Sequence, residues 1–286
     1  MSTQSPSVEL PSVSASGVSP ARSFDRSKIK RPGFWLPATT LWWRELVRFY
    51  RQRSRVAGVL GSPLIFWLVV GSGIGSSFRP DGAKTSGYLE YFFPGTIILI
   101  ILFTSIFTMM SVIEDRKEGF LLSVLVSPVS RGSVVMGKVL GGSTLALIQG
   151  MIFLFLGPTV GIHLSLYNIA MSAAILFLVS FGLTSLGFLI AWRLDSTHGF
   201  HALINLFLIP MWLVSGALFP ISGASSWIGW MMRINPLTYG MNVLRIVLSP
   251  SGAVTNGMGL GVSFLVSAIA AAVIFSLCYV QASRTN

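Results

Sequence analysis

Six stretches, near residues 57–77, 91–113, 134–160, 168–192, 200–219 and 258–281, are almost wholly apolar. Each is about as long as the ~20 residues needed to carry a helix across about 30 Å of hydrocarbon. The pattern predicts an all-α integral membrane protein with six transmembrane helices. Composition agrees: of 286 residues 52% are hydrophobic and 10% charged, and the mean hydropathy is +0.74, far from the range of soluble domains.

The net charge of +11 would suggest nucleic acid in a soluble protein. Here ten of the twenty Lys and Arg precede Val56 and most others sit at the ends of apolar runs, so the charge is better matched to anionic lipid. No aromatic-and-basic RNA motif or zinc-ligand spacing is present, and no nucleic-acid partner is expected. In alternate connecting segments, one set holds 16 Lys/Arg and the other 4. The richer set is assigned to the cytoplasm. Six spans then leave both termini cytoplasmic, in a multi-pass protein of the plasma (inner) membrane. The single cysteine, Cys278, lies inside the last run and offers neither a disulfide nor a metal-binding pair.

Residues 1–37 are rich in Ser and Pro, then basic, with no apolar core of a cleaved signal; they read as a disordered cytoplasmic tail preceding a transmembrane domain of residues 38–286. Residues 39–55 read as an amphipathic helix. Arg44, Arg48, Arg51 and Arg55 recur on one face, with Trp42, Leu46 and Phe49 on the other. Such a helix is expected in the headgroup layer, with arginines toward phosphate. Only 114–133 and 220–257 are long connections. The first opens on Glu114, Asp115 and Glu118 and carries Leu121, Leu122, Leu125 and Val126 before Pro128, the pattern of a short helix with acids at its start and proline at its end. It could lie on the membrane or enter a partner's groove.

None of the nine acidic residues falls in the middle of a span, whereas carriers driven by ion gradients usually place an ionisable site there. Energy for transport is therefore expected from another polypeptide. Gly132 to Lys138 matches G-x-x-x-x-G-K, but Val139 replaces the hydroxyl that holds Mg²⁺ and no strand precedes it. The glycines Gly137, Gly141 and Gly142 are read as sites of close helix approach. Thr104, Thr108 and Ser111 on the second span, with Asn205, Pro210 and Ser215 on the fifth, are candidate pathway residues, although such hydroxyls often bond within their own helix. His198 and His201 beside Asp195 lack a converging ligand set, and no metal site is expected. Between Leu218 and Arg245, Pro220 ends the fifth span, Trp227 and Trp230 give an amphipathic turn, and Asn235-Pro236 breaks the chain again before Tyr239. The segment is too short to cross and apolar for a free loop. It is either re-entrant, and then buried in protein or lining a cavity, or an interfacial belt.

Two separated motifs, E-D-R-K-E-G-F-L-L-S-V-L-V-S-P-V-S-R…G-K from Glu114 to Lys138 and L-F-P-I-S-G-A-S-S-W-I-G-W-M-M-R-I-N-P-L-T-Y-G-M-N-V-L-R from Leu218 to Arg245, resemble the ABC-2 type permeases, the membrane subunits of ABC exporters. The resemblance runs from about Ala38 to the C-terminus. It implies that residues 39–55 are a connecting helix and that Glu114 to about Ser127 is a coupling helix docking on an ABC ATPase. Contacts would come from Glu114, Asp115, Arg116, Lys117, Glu118, Gly119, Leu122, Pro128 and Arg131. It implies also that Phe219, Pro220, Trp227, Trp230, Asn235, Pro236 and Tyr239 belong to an extracytoplasmic re-entrant gate.

By the same resemblance the chain is not itself an enzyme and carries no cofactor; ATP and Mg²⁺ would be bound by the ATPase. A second permease copy, or a paralogue, would complete the pathway, and membrane lipid surrounds it. The expected cargo is hydrophobic or amphipathic: a drug, lipid or glycan. Two other readings stand beside it, a gradient-driven secondary carrier and a membrane anchor that moves nothing.

Overall fold

The computed structural model describes residues 33–74, 88–248 and 258–284; of the tail expected over residues 1–37, residues 1–32 lie outside them, and its last three residues already belong to the helix that begins at Trp35. Among the described residues the elements are helical. They run α1 (Trp35–Arg51), α2 (Arg53–Ile74), α3 (Tyr88–Lys117), α4 (Phe120–Val126), α5 (Arg131–Leu154), α6 (Leu166–Ala191), α7 (Thr197–Trp212), α8 (Ser226–Ile234), α9 (Pro236–Leu248) and α10 (Leu260–Arg284). Six helices, α2, α3, α5, α6, α7 and α10, are long and apolar enough to cross a membrane, in the places where the sequence predicts spans.

The core is built around α3. Apolar all round, it has nearly its whole length buried against α2, α5, α6 and α7, as a helix without a polar face must be. Phe92, Phe93, Ile97, Ile100, Ile101 and Ile106 are fully enclosed. Aromatic edges join it to α2 and α5, with Trp67 packed edge-on against Phe93 and Phe153. The helices α2, α7 and α10 expose much of their surface, including Ile65, Val69, Leu206, Phe207, Leu265 and Ile269, which suits contact with lipid or another membrane protein.

Small residues set the close approaches. A Cβ added at Gly142 would stand 2.7 Å from Thr184 on α6 and 3.0 Å from Met109 on α3, so α5 wedges between these helices only because that position is bare. The predicted close packing at Gly137 and Gly141 is present too, but against α1 rather than another span: their added Cβ atoms would lie 2.6 Å from the Ala38 carbonyl and 2.8 Å from the Glu45 Cβ.

Two connections position the regions of interest. Gly119, at φ +75°, turns the chain between α3 and α4 in the left-handed region that glycine enters without a Cβ penalty. At the opposite end, α7 passes beyond Pro210 into a π-helical turn, Leu213–Ala217, where Gly216 has φ +88°. Proline removes one donor there and the π turn redirects the carbonyls. The chain then returns through α8 and α9.

Candidate functional site

At the end of the bundle where α3 stops and α5 begins, three helices bring six charges together. The carboxylate of Asp115 receives Nη1 and Nη2 of Arg44 at 2.9 and 2.7 Å, Nη1 of Arg48 at 2.7 Å, and the ammonium of Lys138. Lys138 also donates to Glu45 at 2.5 Å and to Ser111 at 3.1 Å, and Ser111 donates to Glu45 at 2.8 Å. Arg48 reaches Glu114 at 2.6 Å. Three cations thus face three carboxylates. Asp115, Lys138 and Glu45 are 0, 1 and 2% exposed. The bonds to Asp115 push the Arg44 guanidinium above its ordinary pKa, and the same guanidinium lies 3.8 Å over the Phe120 ring at the start of α4.

The spacing explains why these side chains meet. On α1, Leu41, Glu45, Leu46 and Phe49 share the buried side, and Arg44 and Arg48 flank it one turn apart. The bare surface at Gly137 and Gly141 lets that side seat directly on α5, which puts Glu45 against Lys138. The expected orientation of the arginines toward phosphate is therefore corrected for two of the four. Arg44 and Arg48 turn inward because the buried end of α3 offers carboxylates, while the aromatic residues Trp35, Trp43 and Tyr50 stay exposed. Trp42, expected to face acyl chain, donates instead to Thr144 on α5. Arg51 is exposed, and the Arg55 side chain lies outside the described residues.

The residues assigned to an ATPase contact separate into two groups. Asp115 is internal. Arg116 caps the C-terminal carbonyls of α6, at 2.6 Å from that of Trp192 and 3.3 Å from that of Leu194, and pairs with Asp195 at 2.8 Å. Arg131 does the same for α10, through the carbonyls of Ala282 and Ser283. Such carbonyls lack partners within their own helix. Glu114 and Gly119 are half-buried. Lys117, Glu118, Leu122 and Pro128 face outward, and with them Val126: Leu122 and Val126 are 62 and 88% exposed one turn apart on α4. The outward face of α4 thus pairs two exposed apolar side chains with neighbouring exposed charges.

The sequence motif at Gly132–Lys138 is no phosphate cradle. These residues form the first two turns of α5, and Lys138 is held by Glu45 and Asp115. Among the described residues no cluster of His, Cys, Asp or Glu has the arrangement of a metal site; His201 packs on Phe107.

At the other end, Nη2 of Arg245 on α9 donates to the Gly216 carbonyl at 2.5 Å, and its guanidinium lies 4.2 Å over the Tyr91 ring of α3. The hydroxyls of Tyr91 and Tyr88 reach the carbonyls of Gly216 and Leu218 at 3.4 and 3.3 Å, and Trp212 donates to the Gly95 carbonyl at 2.9 Å. The carbonyls freed where α7 departs from regular helix are thus taken up by α3 and α9. Asn235 joins the turn before α9 to α7: its amide donates to Met211 at 2.6 Å, while its oxygen caps the Leu237 amide at 3.0 Å. Pro236 opens α9, and Tyr239 donates to the Arg233 carbonyl at 2.7 Å. Phe219 and Pro220 are half-buried, whereas Trp227 and Trp230 are exposed on α8. The segment therefore divides: α9 is enclosed by protein, and α8 presents its rings outward.

Four of the six pathway candidates are enclosed within this chain. Thr104 donates to the Ile100 carbonyl and to Gln149, Thr108 to the Thr104 carbonyl, and Ser215 to the Trp212 carbonyl. Ser111 belongs to the charge cluster. Hydroxyls in apolar helices find the nearest carbonyl when nothing else is in reach, and these line no open path within one chain. Asn205, in the middle of α7, and Pro210 are exposed. Glu45, Lys138 and Arg245 were passed over by the sequence reading. The signal for Lys138 was its place inside a predicted span, since a lone charge there demands a partner.

Residues 38–249 match the model of the ABC-2 type transporter family. A protein named as a transport permease, ycf38, from Cyanophora paradoxa is 30% identical over 207 residues, 70% of either chain. Nodulation protein J of Rhizobium meliloti is 23% identical over 211 residues, 73% of this chain and 79% of its own. A protein of Escherichia coli named as a multidrug ABC transporter permease, YbhR, is 29% identical over 146 residues, 49% of this chain and 38% of its own.

Proposed function

This chain belongs to the ABC-2 type transporter family and is a multi-pass membrane subunit of an ABC transporter, and from that premise we propose that it forms part of an export path for an amphipathic cargo, driven by an ABC ATPase gripping α4. The single observation that supports this most is the exposed face of Leu122 and Val126 beside Lys117 and Glu118, carried on a helix whose neighbours are joined by the Arg44–Asp115–Lys138 cluster. A push on α4 passes through Phe120 and Arg44 to α1, and through Gly119 to α3. In this reading the cluster lies on the cytoplasmic side of the plasma membrane, ATP and Mg²⁺ stay on the ATPase, and α8 and α9 form the extracytoplasmic re-entrant gate.

Two permease copies, or one with a paralogue, meet across their exposed apolar spans and enclose the path between them, where Asn205 offers a polar contact. A drug-like amphiphile is the cargo class favoured by the apolar spans and by the name of the Escherichia coli relative. A gradient-driven carrier is less well supported: the buried carboxylates Glu45 and Asp115 already hold a fixed cation, so neither is free to take a mobile ion.

The test is reconstitution with the ATPase that co-purifies with the chain. Leu122→Asp with Val126→Asp is expected to abolish ATP-dependent uptake into inverted vesicles and to release the ATPase, leaving thermal unfolding of the permease unchanged. Transport by the permease alone on an ion gradient, or full ATP-dependent uptake by the double variant, would sink the reading.

A further inference from the structure

A groove lies at the same end of the bundle as the charge cluster, beside α4. It encloses about 1060 Å³, at the upper end of the roughly 300–1,000 Å³ typical of small-molecule sites. Its walls include Leu189 near the end of α6, Leu203 of α7, and Leu277 and Val280 of α10. Arg193, two residues beyond α6, and Arg284, the last residue of α10, line it as well. Leu277 precedes Arg284 by seven residues, about 10 Å along a helix, so the apolar wall extends from the charged end into the length of a span.

The electrostatics of the groove are one-sided. Among the described residues no Asp or Glu lines it. Arg116, a third arginine at its edge, is engaged by Asp195 and by the α6 carbonyls. Arg193 and Arg284 are exposed and make no ion pair among the described residues. Two cations at the ends of membrane-spanning helices, above a wall of leucine and valine, complement a molecule with an anionic head and an apolar tail. A segment of a soluble partner would have to bring side chains beside Leu189 and Leu277, inside the candidate spans, where its backbone would lose water.

We propose that this groove binds an anionic glycerophospholipid of the adjoining leaflet, with an acyl chain along Leu189, Leu277 and Val280 and the phosphate between Arg193 and Arg284. Leu122 of α4 lines the same groove, so the lipid packs against the helix whose outer face is offered to the ATPase. The site requires only that the spans lie in a bilayer, and it stands whether or not α4 proves to be the ATPase contact.

The test uses the full chain in nanodiscs of phosphatidylglycerol and phosphatidylcholine with matched acyl chains, released into the gas phase for mass spectrometry of the lipid it retains. The wild-type chain is expected to keep phosphatidylglycerol over phosphatidylcholine. In the Arg193→Gln/Arg284→Gln variant that preference falls roughly thirtyfold, as loss of two interfacial arginines implies, whereas Arg233→Gln, an exposed arginine at the other end, leaves it intact. Leu277→Trp, which fills the groove, should expel both lipids. Equal retention of the two lipids by the wild-type chain, or an undiminished preference in the double variant, overturns the proposal. So does a result in which the wild-type chain retains neither lipid and the double variant instead loses a co-purifying protein, since the groove would then be a protein-docking surface.

Discussion

Lys138 on α5 and Asp115 on α3 form an ion pair from which solvent is shut out, and Glu45 on α1 closes on the same ammonium. Charges are costly to bury and repay that cost only when every partner is present. The group thus acts as a pin through three helices: each helix can sit where it does only while the other two supply their charges.

Removing the ammonium should show this. Lys138→Met leaves Glu45 and Asp115 facing each other with only the arginines to compensate, and a buried charge stripped of its partner typically costs about 3–5 kcal/mol. Thermal unfolding of the purified protein in detergent is expected to move sharply downward. Adding Glu45→Gln to the variant removes the carboxylate whose short contact was to that ammonium, and should recover part of the loss. If the single variant melts with the wild-type protein, the pin holds nothing.

The seat beneath that pin is equally specific. Gly137→Leu or Gly141→Leu would drive side-chain atoms into Ala38 and Glu45, and over-packing of this kind costs about 1–3 kcal/mol. A cysteine pair placed on α1 and α5 should cross-link readily in the wild-type background and poorly in either glycine variant. Gly58→Leu, with open space around it, serves as the control that should change nothing.

How much of this was legible beforehand depended on periodicity and on pairing. The six spans stood out because a run of apolar residues has few other uses at that length, and Gly137 and Gly141 were recognised as close-approach sites. Their partner was not, since a glycine tells that something comes near without telling what. The arginine stripe of α1 was misjudged for a related reason. A helix with one basic and one apolar face reads as lying flat on lipid, and only the position of Asp115 at the buried end of α3 shows that the basic face has a protein to bind. Arg245 gave no local signal, because its carbonyl partner exists only where Gly216 leaves the helix.

That turn yields the next prediction. Gly216 holds φ +88°, and a side chain in the left-handed region costs about 1–2 kcal/mol. Gly216→Ala would meet the Met232 Cε at 3.3 Å as well. Its melting temperature should fall, and so should that of Arg245→Met, which leaves the Gly216 carbonyl without the guanidinium. Because both disturb one contact, the double variant should lose less than the two single losses added together; strict additivity would show that the residues do not act on each other.

The acidic segment gives the most discriminating comparison, because its carboxylates occupy different environments a turn apart. Asp115 is enclosed with three cations, whereas the Glu118 side chain is 63% exposed and reaches Arg48 only at 4.0 Å. Exposed pairs at that distance contribute little, on the order of 0–1 kcal/mol. Asp115→Lys is therefore expected to prevent assembly of the folded permease, detected as loss of the monodisperse peak in size-exclusion chromatography. Glu118→Lys should leave that peak and the melting temperature unchanged while weakening retention of the ATPase in a pull-down. A Glu118→Lys protein that keeps its ATPase in full would remove the acidic residue from the contact and leave Leu122 and Val126 as its whole basis. Collapse of that variant would mean that Glu118 belongs to the internal network after all.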